Sequence, residues 1–458
     1  MSPLSAILKK YIRIPSVTTD ENLHMAKAVA KDMALAGCKV RMQKIRYRND
    51  WYWNVAGWKG PKSGAPLLLC SHLDTVPPGE KFKWTKTGRN PWRATQIGSK
   101  VYGLGAADDK GPLVAMLDAI RRVSSKSLRR PVLFLGTFGE ESGMGGAKSF
   151  VREWKLAKPC LAIVGEPTDL KVTYRHKGIG VVVITLRVPE AALRKNIKVR
   201  PHEFKGKQGH SSRPWTGDNA LEKAMGYLKK QKNLNDLYVT DLRGGHAANL
   251  IPGHASMAVC SVPTRSEEPV KGAIPARAVL AAYESVQTVL KKLQTKNDRS
   301  FYPSCVTSNF GVARFEHGVM TLVFDFRLLP GITIGPVHQN LKQALTHRAV
   351  DFSGVRCVAE IERENPPLDA ERIDPAAREA CRLLKMSGLP VSLEVKPSCT
   401  EAGVYARWGV PAFIFGPGKA QGNIHAPNEY VDLKQVKKAA HFYARAIQSI
   451  CVEGDKCF

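Results

Sequence analysis

The rhythm of apolar residues changes twice along the chain. In the first third, short continuous apolar runs alternate with segments of helical spacing. Residues 22–36 (NLHMAKAVAKDMALA) have helical periodicity and stop at Gly37. Residues 66–70 (PLLLC) read as a short buried strand. Residues 110–123 put Leu113, Met116, Leu117, Ile120 and Val123 on one helical face. Residues 131–138 (PVLFLGTF) and 161–164 (LAIV) are again apolar strands. Continuous apolar strands separated by amphipathic helices predict a mainly parallel sheet covered on both faces.

The middle has longer, partly alternating strands at 179–188 (IGVVVITLRV) and 319–328 (VMTLVFDFRL). Helical segments at 218–231 and 274–294 lie between them, which predicts a separate α+β lid. The α/β character returns with PAFIFG (411–416) and a final helix near 433–449. The expected architecture is a discontinuous α/β domain, residues 1–176 and 365–458, with residues 177–364 inserted as the lid.

Composition narrows the class. The 458 residues allow two or three folding units. Hydrophobic residues at 43% and charged residues at 24% exclude a disordered or fibrous chain. No apolar run approaches the roughly 18 residues of a membrane helix, and the N-terminus lacks the pattern of a secretory signal. Ten cysteines without a CxxC pair, several inside apolar runs, predict reduced thiols and a cytoplasmic setting.

Charge is the unusual feature: 69 Lys and Arg against 40 Asp and Glu give a formal net charge of +29. Such a balance invites a nucleic-acid reading, but no zinc-finger, RNA-binding or helix-turn-helix motif accompanies it. The expectation is an enzyme with a basic surface, no specific nucleic acid and no membrane. One basic segment holds Arg194, Lys195, Lys198, Arg200, Lys205 and Lys207. Another lies around Lys291, Lys292, Lys296 and Arg299. Both read as solvated decorations of the lid.

Candidate chemistry gathers where predicted strands end, which is where open parallel sheets form their sites. In LLLCSHLDTVPPG, His72 and Asp74 are two apart and point the same way on an extended chain. That pair suits a metal ligand and its orienting carboxylate. In YGLGAADDKGP, Asp108 and Asp109 follow a glycine turn and precede a helix. No Walker lysine follows, and two carboxylates would repel a phosphate. In FLGTFGEESG, Glu140 and Glu141 are adjacent after an apolar strand, so they should face different ways and do different work. LAIVGEPTD places Glu166 at another strand end, and FGPGKAQGNIHAPNEY places His425 in a glycine-rich loop.

The series HLDTVP, GLGAADDKG, GEESG, GEPT, GHSSRP, DFR and HAPNEY resembles the di-zinc amidohydrolase and metallopeptidase family of acetylornithine deacetylase, succinyl-diaminopimelate desuccinylase, aminoacylase and carboxypeptidase G. The resemblance spans nearly the whole chain. It implies a zinc-peptidase-like catalytic domain with a lid that also dimerises. It implies two divalent ions, zinc or else cobalt or manganese, held by His72, Asp108, Glu141, Glu166 and His425, with Asp108 bridging. Glu140 would be the general base and Asp74 the partner of His72. The Asp108–Asp109 bond is often cis in that family. His210 of GHSSRP would stabilise the oxyanion, usually in the partner subunit of a dimer. Asn249 of GGHAANLIP and Arg327 of FDFRLLPG would bind a substrate carboxylate. CTEAG (399–403), RHKG (175–178) and GPG (416–418) resemble the acetylornithine deacetylase branch. DDKGP, GTFGEESG and TSNFGVARFEHG look more like the dipeptidase branch. The expected activity is therefore hydrolysis of an N-acyl amino acid amide, with a metallodipeptidase or carboxypeptidase as the alternative. A catalytically inactive binding protein on the same fold is the alternative from outside enzymes.

Overall fold

The computed structural model describes residues 3–188, 197–262, 272–352, 354–370 and 374–454. It divides into two compact units, Met1–His176 with Leu368–Phe458, and Lys177–Pro367.

The first unit is built on an eight-stranded sheet. Its four central strands run parallel in the order Val132–Thr137, Leu67–His72, Leu161–Val164, Ala412–Ile414. Successive side chains leave a strand on opposite faces. Leu67 and Leu69 join Phe134, Ile163 and Phe413 in one core; Leu68 and Cys70 join Leu133, Leu135 and Ile414 in another. Both faces are buried, which is why these strands read as unbroken apolar runs. Helices Pro3–Ile12, Leu23–Leu35, Lys110–Arg122, Pro375–Met386 and Leu433–Ile447 pack on the first face. Gly145–Glu153 and Ala402–Arg407 pack on the second. The parallel arrangement gathers the C-terminal ends of the central strands along one edge; His72, Glu140, Glu141 and Glu166 lie at or just after these ends, whereas Asp108 follows strand Lys100–Tyr102 of a separate three-stranded sheet.

Both sides of the sheet are extended by segments with no apolar run of their own. The hairpin Lys39–Tyr47 and Asp50–Lys59 pairs antiparallel to Val132–Thr137. Its outer strand exposes Lys39, Arg41, Lys44 and Arg46. Val172–His176 and Leu393–Lys396 close the other side.

The second unit is an antiparallel sheet. Gly178–Arg187 lies between Val319–Leu328 and Arg356–Asn365. Helices Ala220–Lys229, Ala276–Leu293 and Ile334–His347 belong to the same unit. Its second boundary falls at Pro367/Leu368 rather than 364/365. The reason is local: Asn365 is still paired with Ile179 in the sheet, and Pro367 packs against Gly178. Of the basic residues singled out above, Arg194 and Lys195 lie outside the described residues. Lys198, Arg200, Lys205, Lys207, Lys291, Lys292, Lys296 and Arg299 are exposed, as solvated decorations should be.

The expectation of reduced thiols needs one correction. Cys160 is disulfide-bonded, while eight cysteines are free among the described residues. Cys160 is half-buried just before strand Leu161–Val164, packed against the edge of the core rather than within it. Among the described residues no helix is long and apolar enough to cross a membrane.

The packing gives a direct stability test. Leu383 is fully buried on the helix that carries it. Leu383→Ala should lower the unfolding free energy by ~2–5 kcal/mol in urea denaturation, the range for deleting a buried leucine side chain.

Candidate active site

Four chain segments, carrying His72, Asp108, Glu141 and His425, converge in the first unit. His72 closes its strand directly beside Thr137. Its Nδ1 donates to the main-chain carbonyl of Asp74 at 3.0 Å, so in the neutral ring Nε2 has no proton. That bare nitrogen lies 2.9 Å from Oδ1 of Asp108. Asp108 is delivered by the tight turn 103–107. Gly105 there sits at φ 77°, and a side chain on it would meet the Thr75 methyl at 2.6 Å. The Asp108–Asp109 peptide is cis. The other Asp108 oxygen, Oδ2, lies 3.2 Å from Nε2 of His425, which also lies 3.0 Å from Oε1 of Glu141. His425 and Asn428 both have left-handed backbones, at φ 56° and 65°, an uncommon conformation that surrounding contacts must hold.

Asp74 works differently from its expected pairing. Its carboxylate lies 3.6 Å from His72 Nδ1, beyond a hydrogen bond. It accepts instead from the backbone N–H of Glu140 and of Glu141, each at 3.2 Å. His72 is oriented by the Asp74 carbonyl, and the Asp74 carboxylate fixes the turn that presents the two glutamates. Asp109 is also committed locally: Ser71 Oγ donates to its Oδ2 at 2.5 Å.

The electrostatics describe a site short of positive charge. An unprotonated ring nitrogen and a carboxylate oxygen are both acceptors, so a 2.9 Å approach needs a cation between them. Protons alone satisfy this only by large displacements. Burial works against ionised Asp108, yet the histidines on either side hold it well below the usual carboxylate range. Chiefly through the charge of Glu141, His425 is pushed up to about 12. Burial would keep His72 neutral, but the surrounding aspartates lift it well above a normal histidine. Burial, then Glu166 and Glu141, pushes Glu140 far up. Burial and then Asp108 push Glu166 to about 8, with Lys396 opposing.

Divalent cations fit this donor set. Oxygen and imidazole ligands at this spacing suit Zn²⁺, and also Co²⁺ or Mn²⁺. The ligand atoms of Asp108, Glu141 and His425 lie within 4.8 Å of one another. So do those of His72, Asp108 and Asp109, and those of His72, Glu140 and Glu141. Asp109 is held by Ser71, which leaves His72, Asp108, Glu140, Glu141 and His425 as the geometric centre. Glu166 is buried and acts on this centre through its charge, but it falls outside these three groups.

The second unit holds the other three candidates. The ribbon pairing Gly209–His210 with Leu250–Ile251 brings the GHSS turn beside Asn249, whose carbonyl accepts from Ser211 N–H at 2.9 Å. Asn249 itself is exposed. Asn309 holds that turn by donating to the carbonyls of Ala248 and Leu250. Nδ1 of His210 accepts from the Ser212 N–H at 3.2 Å and lies 2.8 Å from Ser212 Oγ; with Nδ1 as the acceptor, the neutral ring carries its proton on Nε2. Arg327 is buried and donates from Nε to Asp325 at 3.0 Å and from Nη2 to Ser211 Oγ at 2.8 Å. Ser211 in turn donates to Asp325 at 2.5 Å.

One buried carboxylate escaped the motif reading. Glu429, next to last in HAPNEY, is 1% exposed and accepts three backbone N–H bonds from residues 105–108. An acidic residue between Asn428 and the start of a strand was the available signal.

A mainly parallel sheet, ligand-bearing loops at its strand ends and an inserted antiparallel unit define an α/β metallohydrolase acting on amide bonds. The chain belongs to peptidase family M20/M25/M40, which it matches over residues 68–449. It is 28% identical to acetylornithine deacetylase of Erwinia tasmaniensis over 399 residues, covering 87% of this chain and 84% of that one. It is 27% identical to the Salmonella heidelberg acetylornithine deacetylase, with 98% of each chain covered. Among solved structures it is similar to the aminoacylhistidine dipeptidase of Vibrio alginolyticus, at TM-score 0.63 and 18% identity, with 97% of this chain and 96% of that one covered.

The donor set predicts metal content. Metal-free protein titrated with Zn²⁺ or Co²⁺ should take up two ions per chain by elemental analysis, and Asp108→Asn should hold fewer than two. Wild-type uptake of one ion or none would contradict the ligand arrangement.

Proposed function

We propose that the protein removes the acyl group from an N-acyl amino acid with a free carboxylate, as a di-metal, zinc-dependent deacylase. The observation that carries this reading is Asp108, whose two oxygens face two different histidine nitrogens beside the buried Glu140. The deacylase preference draws on relatives named acetylornithine deacetylase along nearly the whole chain.

Each residue then has a task. His72, Asp108, Glu141, Glu166 and His425 would hold the two ions. When bound, these ions supply an acidified water and an electrophile for the substrate carbonyl. Glu140 takes a proton from the attacking water and passes it to the leaving amine. Glu140 is buried beside the ligand Glu141, which places its carboxylate to hold that proton in transit. Asp74 fixes the turn that presents Glu140 and Glu141 by holding both of their N–H groups. His210 donates from Nε2–H to the oxyanion, and Arg327, with Asn249, receives the substrate carboxylate. The reading includes a cytoplasmic homodimer in which His210 serves the partner's site.

A hydrolysis screen tests the class. N-acetyl and N-succinyl amino acids should be cleaved faster than dipeptides; the opposite order would overturn the deacylase reading. Glu140→Gln should retain both metals and lose on the order of 10²–10⁴-fold in kcat, the usual range for a general base. If it sheds metal as Glu141→Gln does, the two roles are exchanged.

Carboxylate recognition has its own comparison. Wild type should lose about 10²-fold in kcat/KM on a substrate's carboxamide, since an unpaired desolvated charge costs roughly 2–5 kcal/mol. Arg327→Ala should barely distinguish the two substrates. Equal wild-type rates would mean that Arg327 only braces Asp325 and Ser211.

A further inference from the structure

The loop that carries His425 is tied to the loop that carries Asp108 by a side chain the mechanism does not use. Glu429 follows His425 by four residues. Its Oε2 accepts from Gly105 N–H at 3.0 Å, and its Oε1 accepts from Ala107 at 2.8 Å and from Asp108 at 3.0 Å. The Glu429 carbonyl accepts from Gly103 N–H at 2.9 Å, and Tyr430 pairs in strand register with Tyr102. Asn423 closes the same loop on itself through Lys419 and Tyr430. The fit is specific to a carboxylate. Three N–H donors converge on two oxygens, and an amide in its place would turn an –NH₂ group towards at least one of them. Lys110, buried with its stem against Gly105, donates to the carbonyl of Ile14 at 3.1 Å.

We propose that Glu429 is a positioning residue: it sets the placement of Asp108 against His425, and thereby the affinity for the ion those two residues share. The inference rests on the di-metal reading above. It assigns Glu429 neither a contact with substrate nor a ligand bond. Partners that orient ligands typically matter by roughly 10–100-fold in metal affinity when removed.

The experiment compares metal-free wild type, Glu429→Gln and Leu383→Ala, each titrated with Co²⁺ alone. Binding is followed by calorimetry and by the visible absorption of the bound ion, and folding by circular dichroism and thermal unfolding. Wild type should bind two equivalents. Glu429→Gln should bind one much as wild type does and the other roughly 10–100-fold more weakly, with an altered spectrum for that step. Leu383→Ala should be destabilised yet bind both equivalents as wild type does. Glu429→Gln binding both ions like wild type would overturn the inference. So would an equal loss in Leu383→Ala, because general destabilisation would then account for it. Wild type binding fewer than two ions would instead overturn the di-metal reading and the inference with it. Should Glu429→Gln fail to fold, Glu429→Asp keeps the charge and shortens the reach by one methylene. It should weaken the same equivalent, and wild-type binding by that variant would count equally against the inference.

Discussion

The constraint on which this site depends is the placement of one buried carboxylate between two ring nitrogens. Asp108 is 6% exposed, and its oxygens lie 2.9 Å from His72 Nε2 and 3.2 Å from His425 Nε2. Glu140 and Glu166 are buried nearby, with Glu141 against His425. Burying that many acceptors without compensation is unfavourable, because an ionised carboxylate in a low-dielectric interior must be paired. The displaced proton affinities of Asp108, His72, His425, Glu140 and Glu166 express the same frustration. Divalent ions relieve it with charge that protons supply only partially.

Much of the surrounding structure holds these groups in place against their mutual repulsion. Asp74 clamps the N–H groups of Glu140 and Glu141. Its own carbonyl sets which nitrogen of His72 is bare. Gly105 lets the chain turn tightly enough to deliver Asp108. The left-handed conformation of Asn428 is held by its side-chain bonds to Lys83, Thr85 and Lys86. Rigid sheet strands end where these loops begin, so the precision of the core is passed on to the ligands.

What could be read from the sequence followed burial and spacing. Strands sealed on both faces announced themselves as apolar runs, and helix Lys110–Arg122 showed its apolar face through Leu113, Met116, Leu117 and Ile120. The hairpin Lys39–Lys59 did not, because its outer strand alternates exposed cations with half-buried residues. Strand Arg356–Asn365 is similarly half-exposed, and only its pairing with Gly178–Arg187 moves the unit boundary to Pro367. Motif spacing brought His72, Asp108, Glu141 and His425 into view because strand ends converge in parallel sheets. Hydrogen-bond direction was beyond its reach. No spacing argument says that Asp74 binds two backbone N–H groups while its carbonyl takes the histidine. Nor could spacing say that Glu429 reaches back across more than 300 residues to the Asp108 turn.

The most direct test of the central claim is anomalous diffraction from crystals of the zinc-loaded protein, with data collected on both sides of the zinc absorption edge. Two anomalous peaks should appear, one on each side of the Asp108 carboxylate. Each should lie about 2.0–2.2 Å from one of its oxygens, the ordinary zinc–carboxylate distance. One peak should be shared with His72 and the other with His425 and Glu141. A single peak, or peaks that leave Asp108 uncoordinated, would contradict the account.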